Sequence, residues 1–140
     1  MVKLEQLTWL AIGVVIGYLA TKYSQHSSRK DSTTNPNAFI LAIQIKFKTI
    51  DKKNEFKALF KPLAEFVTKN EPGTLAYELF DSDKEETAIF LLERYRTKND
   101  YLEVHRKTPE FLSFKENMMK MAESFEMNGH SYIQSDYGFV

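Results

Sequence analysis

Residues 87–95 read TAIFLLERY, and no other stretch restricts the fold as tightly. Side chains along a strand alternate between its two sides. On that period Ile89 and Leu91 point one way, while Ala88, Phe90 and Leu92 point the other. A strand that is apolar on both sides needs cover on each face of its sheet.

The neighbouring segments supply one layer of cover. In residues 39–48 (FILAIQIKFK), Leu41, Ile43, Ile45 and Phe47 alternate with Ala42, Gln44, Lys46 and Lys48, the period of a strand. Phe56, Leu59, Phe60, Leu63, Phe66 and Val67 then recur at three and four residues, the stripe of an amphipathic helix. Asp51 is expected to cap that helix, and Pro62 to kink it or start a new turn. Glu71-Pro72-Gly73 is a stop signal, after which residues 74–80 (TLAYELF) read as a second strand. A polar turn at 81–84 joins it to the third strand as a hairpin.

Thr97 and Asp100 fit a capping box ahead of a short helix through Tyr101, Leu102 and Val104. Thr108-Pro109 opens a longer helix with Phe111, Leu112, Phe114, Met118, Met119, Met121, Ala122 and Phe125, which Asn128-Gly129 should end. Met118, Met119, Met121 and Met127 are assigned to it as adaptable core packing. Residues 131–136 read as a last, weaker strand. The order βαββαβ with an antiparallel sheet is the ferredoxin-like α+β solution. Its helices cover one sheet face only, so the apolar second face is expected to pack against a twin, giving a homodimer through the sheet.

Residues 1–37 lie apart from this pattern. Sixteen uncharged residues run from Gln6 to Thr21, mostly apolar. A spanning helix takes ~20 residues, reached here if Leu4 and Tyr23 are included and Lys3 and Lys22 snorkel outward. Residues 1–23 are therefore expected to form an N-terminal transmembrane anchor. The alternative is a cleaved signal peptide, but Tyr18-Leu19-Ala20 lacks the small residue that such a site needs at its outer position. Lys22, Arg29 and Lys30 follow the apolar run, whereas Glu5 offsets Lys3 before it, so a single-pass protein with its globular domain in the cytosol is expected. Gly13 and Gly17 have a helix-pairing spacing, read here as chance. Residues 24–37 are small and polar and read as a flexible tether. Residues 38–140 form the globular domain.

Composition narrows the chemistry. Lys and Arg total 19, as do Asp and Glu, so no net charge holds a polyanion and nucleic acid is not an expected partner. With no cysteine, thiolate catalysis and zinc–sulfur sites are excluded. No His, Asp or Glu spacing suits a metal, so none is expected. There is neither a phosphate-cradling glycine loop nor a nucleophile elbow.

Six side chains stand out. His105 titrates near neutrality and could take a proton from a phenol; the alternative is a structural hydrogen bond to a carboxylate such as Glu93. Glu93 and Arg94 are adjacent on a strand and face opposite sides, so one of them enters an apolar region and needs a partner or a ligand. Tyr77 and Tyr95 could hold a phenolic substrate or simply pack. Gln44 could hydrogen-bond a substrate or satisfy neighbouring backbone. His26 and His130 have no partner legible in the sequence.

Two segments carry a family resemblance: residues 71–80 (EPGTLAYELF) and residues 93–111 (ERYRTKNDYLEVHRKTPEF). The Gly-Thr-Leu strand start, the Glu-Arg-Tyr strand end and Tyr-Leu-x-x-His before Thr-Pro resemble the antibiotic biosynthesis monooxygenase (ABM) domain. That resemblance implies a dimeric α+β barrel with the ligand between helices and sheet. It also implies a cofactor-independent oxygenase acting on a small aromatic or quinol-like compound, or a non-catalytic ligand-binding or scaffold dimer. The haem-degrading branch uses an Asn, a Trp and a His where this chain carries Gln44, His105 and Lys115. That departure argues against haem degradation, and no cofactor is expected.

Overall fold

A computed structural model describes residues 37–135 and residue 137. The expected anchor and tether lie outside these residues. Among the described residues, no helix is long and apolar enough to cross a membrane.

Four strands, β1 (Phe39–Phe47), β2 (Thr74–Asp81), β3 (Ala88–Tyr95) and β4 (Phe125–Ile133), form one antiparallel sheet in the order β2-β3-β1-β4. Helix α1 (Ile50–Asn70) connects β1 to β2, and α2 (Pro109–Lys120) lies between β3 and β4. This is the ferredoxin-like arrangement. The doubly apolar β3 sits inside the sheet, between β2 and β1.

Register decides which side chains meet the helices. Ile45 pairs with Ile89, and Ile43 with Leu91. Ile45, Phe47, Ile89 and Leu91 are buried together with Phe56, Phe60, Leu63 and Val67 of α1 and Phe114 of α2. The stripe on α1 is thus the roof of the core. Its rings interlock, with Phe56 against Phe47, Phe60 and Phe114 at 5.3–6.3 Å between centroids.

The opposite face carries Ala42, Gln44, Lys46, Ala88, Phe90, Leu92 and Arg94 from the two central strands. Ala76, Glu78 and Phe80 extend it on β2, where Phe80 and Phe90 are in ring contact. It is an apolar strip with a polar border. A groove of about 560 Å³ lies along it, lined in part by Gln44, Phe80, Phe90 and Asn128.

The structure corrects the expectations at three places. Thr49, not Asp51, caps α1: its side chain accepts from the Lys52 amide, and Asp51 occupies the first turn. Pro62 does not divide the helix, which runs through it. Pro62 and Ala58, whose carbonyl loses its helical donor, are both exposed, so water can replace the missing bond.

The third correction concerns the end of the second helix. Where the spacing predicts a helix through Phe125, α2 ends at Lys120 and a short 3-10 turn, Ala122–Ser124, follows. Phe125 then starts β4, its ring against Phe47 and Phe56 at 5.8 and 6.4 Å. Asn128 and Gly129 are mid-strand rather than a helix stop, and Met127 belongs to β4. Gly129 faces Ile43, where a Cβ would come within 3.3 Å of its side chain. The terminal strand is therefore longer and begins earlier than residues 131–136.

Candidate functional site

The helix-facing side of the sheet is not uniformly apolar. Beyond Ile89 and Leu91, the same period brings Glu93 and Tyr95 inward. Tyr77 on β2 stands opposite Glu93. These polar groups collect at the end of the sheet where α1 stops and the chain crosses from β3 to α2.

His105 closes this end. The capping box forms as expected: the Asp100 carboxylate accepts from the Thr97 amide and hydroxyl, and Thr97 Oγ1 accepts from the Asp100 amide. The next residues wind as a π-helical turn, Asp100–Val104, followed by a 3-10 turn, His105–Lys107. Thr108 locks the exit by donating its amide and its hydroxyl to the His105 carbonyl. It also caps α2 at the Phe111 amide. His105 is thereby driven inward and is fully buried.

Its partner is Glu71. This residue is the C-cap of α1, ahead of Pro72, and is itself buried. The Nδ1 atom of His105 lies 2.9 and 3.2 Å from the two Glu71 carboxylate oxygens. Thr74 donates its hydroxyl to the same carboxylate at 2.9 Å. With Nδ1–H donating to Glu71, Nε2 carries the lone pair. Nε2 is buried and has no hydrogen-bond partner among the described residues. Buried polar atoms are rarely left so. The rings of Phe111 at 4.8 Å, Tyr77 at 5.2 Å, Tyr95 at 5.5 Å and Tyr101 at 6.2 Å pack around the imidazole, measured between centroids.

A second buried carboxylate belongs to the same cluster, on β3 opposite Tyr77. Glu93 accepts from the Tyr95 hydroxyl at 2.7 Å. Burial, with a contribution from the negative charge of Glu71, pushes the Glu93 carboxyl up to about 7, although the Tyr95 hydrogen bond opposes this. Burial holds the His105 imidazolium below its ordinary range, against the pull of Glu71. Burial also raises the Tyr77 and Tyr95 phenols, which stay neutral. The cluster thus holds an imidazole whose charged form is disfavoured, two neutral phenols and a carboxyl group that titrates near neutrality.

Four of the expected residues meet here: His105, Tyr77, Glu93 and Tyr95. The carboxylate that holds His105 is Glu71 rather than Glu93. Arg94 and Gln44 do not join them. Arg94 lies on the other face of the sheet, where it donates through Nε and Nη2 to Gln134 Oε1 at 3.1 and 2.7 Å. Gln44 is on that face too, exposed, with Phe90 and Asn128 as its cross-strand neighbours. Among the described residues, no three His, Asp or Glu side chains are grouped to hold a metal ion.

Glu71, Tyr101 and Phe111 were not singled out from the sequence as site residues. Glu71 carried a signal: an acidic side chain at a helix C-terminus opposes the macrodipole and calls for a nearby compensating partner. Tyr101 and Phe111 read there simply as helix residues.

The model of the antibiotic biosynthesis monooxygenase family matches residues 38–117, more than half of the chain. The chain belongs to the ABM family. The match ends inside α2, so β4 is known from the structure alone. Among solved structures, a candidate ABM protein from Caulobacter crescentus CB15 is 29% identical with a TM-score of 0.55, over 68% of this chain and 90% of its own. A candidate ABM protein from Nitrosomonas europaea is 23% identical, TM-score 0.60, over 73% and 93%. A variant of SnoaB, a cofactor-independent oxygenase from Streptomyces nogalater, is 11% identical, TM-score 0.56, over 69% and 91%. The last two establish likeness of fold. No curated protein matches this ABM chain.

Proposed function

We propose that this ABM protein is a cofactor-independent monooxygenase for a small aromatic or quinol-like compound. One observation carries the reading: the buried imidazole whose Nδ1 is held by Glu71 and whose Nε2 is unpartnered among aromatic rings. A phenolic hydroxyl is the group that completes it, since it donates to Nε2 while its ring meets Tyr77, Tyr101 and Phe111.

In this scheme Nε2 takes the phenolic proton, and Glu71 stabilises the imidazolium that forms. The phenolate, richer in electrons than the phenol, reduces O₂ directly. One oxygen atom bonds to a ring carbon, and the other leaves as water with two hydrogens of the substrate. A hydroquinone, C₆H₆O₂, plus O₂ then gives a hydroxyquinone, C₆H₄O₃, plus H₂O. The phenols of Tyr77 and Tyr95 stand in ring contact with the imidazole that takes the proton.

The reading includes a homodimer through the open sheet face, supported by the apolar strip of Ala42, Ala88, Phe90 and Leu92. It also includes an N-terminal anchor that holds the domain at the cytosolic side of a membrane, supported by the uncharged run from Gln6 to Thr21 and the cations after it. An anchored domain meets a lipophilic substrate at raised effective concentration.

The test is oxygen uptake by the full-length protein with a panel of quinols and phenols, compared with His105→Ala. Loss of a general base is expected to cost at least ~100-fold in rate. Uptake unchanged in the variant would remove His105 from the chemistry. One observation favours a second reading, a non-catalytic binding or scaffold dimer: His105 is wholly enclosed, as a purely structural histidine would be. On that reading no panel member supports uptake, and His105→Ala loses stability alone.

A further inference from the structure

His105 is fully buried, so a ligand reaches its ring only when one of the groups enclosing it moves. The four rings in contact with the imidazole differ in how they are held. Tyr77 lies in the paired part of β2, opposite Glu93, and stacks on Phe60 at 4.9 Å. Tyr95 belongs to β3, pairs with Phe39 of β1 and donates its hydroxyl to Glu93. Phe111 lies in the first turn of α2, where its amide is bonded to the cap Thr108. Of the four, Tyr101 alone is carried by neither a strand nor an α-helix.

Its ring stacks on the imidazole with 22° between the planes, 6.2 Å between centroids. It also touches Tyr95 at 5.3 Å and Phe39 at 5.4 Å, and the guanidinium of the exposed Arg106 lies 5.6 Å from its centroid. The turn beneath it sits between two hydrogen-bond registers. The His105 amide donates at once to the Asp100 carbonyl, five residues back, and to the Tyr101 carbonyl, four residues back. The first bond is π-helical and the second α-helical. A π turn closes over one residue more than an α turn, so exchange between the two rotates Tyr101 about the axis while His105 keeps an amide bond. Both ends of the turn are fixed, by Thr97 with Asp100 before it and by Thr108 on the His105 carbonyl after it. None of residues 100–104 is buried, so little apolar contact opposes the exchange.

We propose that Tyr101 is the door to His105, and that the π-helical turn is its hinge. With the π bond made, the tyrosyl ring covers the imidazole. With the α bond alone, the ring swings out and leaves Tyr95, Phe39 and the imidazole open to a planar aromatic ligand. Arg106 is the clasp, since its guanidinium holds the covering ring by a cation–π contact.

This inference rests on the proposed role of His105 as the group that meets the ligand, but its test needs no turnover. The full-length protein is treated with diethyl pyrocarbonate at pH ~7, where the uncharged imidazole is the reactive form. Modification of each histidine is followed by peptide mass mapping, with the exposed His130 as internal reference. His105 is expected to react ~10–1,000-fold more slowly than His130, the range set by a minor open state. Tyr101→Ala should raise its rate at least ~10-fold by leaving the door open. Arg106→Ala, a surface change, should raise it about 2–5-fold. Tyr101→Phe keeps the ring and should react as the wild type does. Phe111→Ala removes a ring from the α2 side and should gain less than Tyr101→Ala, once each rate is corrected for the unfolding free energy measured in urea. Equal His105 rates in wild type and Tyr101→Ala, or an equal gain in Phe111→Ala, would overturn the proposal. If Tyr101→Ala exposes His105 but no quinol or phenol supports oxygen uptake, the door stands and the monooxygenase reading falls.

Discussion

Glu93 ties the protonation of the His105 cluster to the stability of the fold. Its carboxyl ordinarily titrates at 4.5 and is pushed up to about 7 by burial, so the folded protein holds a proton there that the unfolded chain releases. Between those values the unfolded state binds fewer protons, so stability falls as pH rises and levels off above them. The shift corresponds to about 3 kcal/mol. Urea unfolding of the wild type should therefore give a lower free energy at pH ~8 than at pH ~5, to the extent of this term. Glu93→Gln should remove much of that decline. His105 acts in the opposite sense, because its imidazolium is disfavoured in the fold and stability from this group is lost toward acid. Of these residues, His105, Tyr77, Glu93 and Tyr95 were legible in the sequence through their strand period or their place before a helix cap. Glu71 was less so, because its partner lies 34 residues away.

At the scale of elements, the turn between β3 and α2 is the joint that sets His105. Gly73 packs directly against it: a Cβ there would fall 2.3 Å from Asp100 Oδ1 and 2.9 Å from Asp100 Cβ. Asp100 cannot swing away freely, because its carboxylate also holds Thr97. Gly73→Ala is expected to cost about 1–3 kcal/mol by overpacking. Amide exchange should show the loss concentrated in residues 97–107, whereas an even loss over the sheet would point to a global effect. The same contact explains why Glu71-Pro72-Gly73 was readable as a stop but not as part of a site. The end of α2 shows a different limit of sequence reading. Phe125 continues the apolar spacing of the helix and also begins the period of a strand, and only Phe47 and Phe56 across the core decide between them.

At the scale of the whole molecule, each sheet face has its own task. One is roofed by α1 and α2 and carries the buried His105 cluster; the other carries Phe90 and Leu92 beside Gln44 and Arg94. The need for cover on this second face was legible in the sequence because β3 is apolar on both sides. Charge placed on that strip, as in Phe90→Asp, should convert the proposed dimer to a monomer at micromolar concentration by light scattering while leaving the fold intact by circular dichroism. Equal masses for variant and wild type would place any dimer contact elsewhere. The account as a whole depends on Nε2 of His105 accepting a proton from a phenol inside the roofed face. The most direct measurement is the absorbance of 4-nitrophenol bound to the full-length protein without oxygen, on the acid side of the phenol's own ionisation. The wild type should bind it as the visible, coloured anion, and His105→Ala should not; a colourless bound phenol in the wild type, or equal colour in both, would contradict the account.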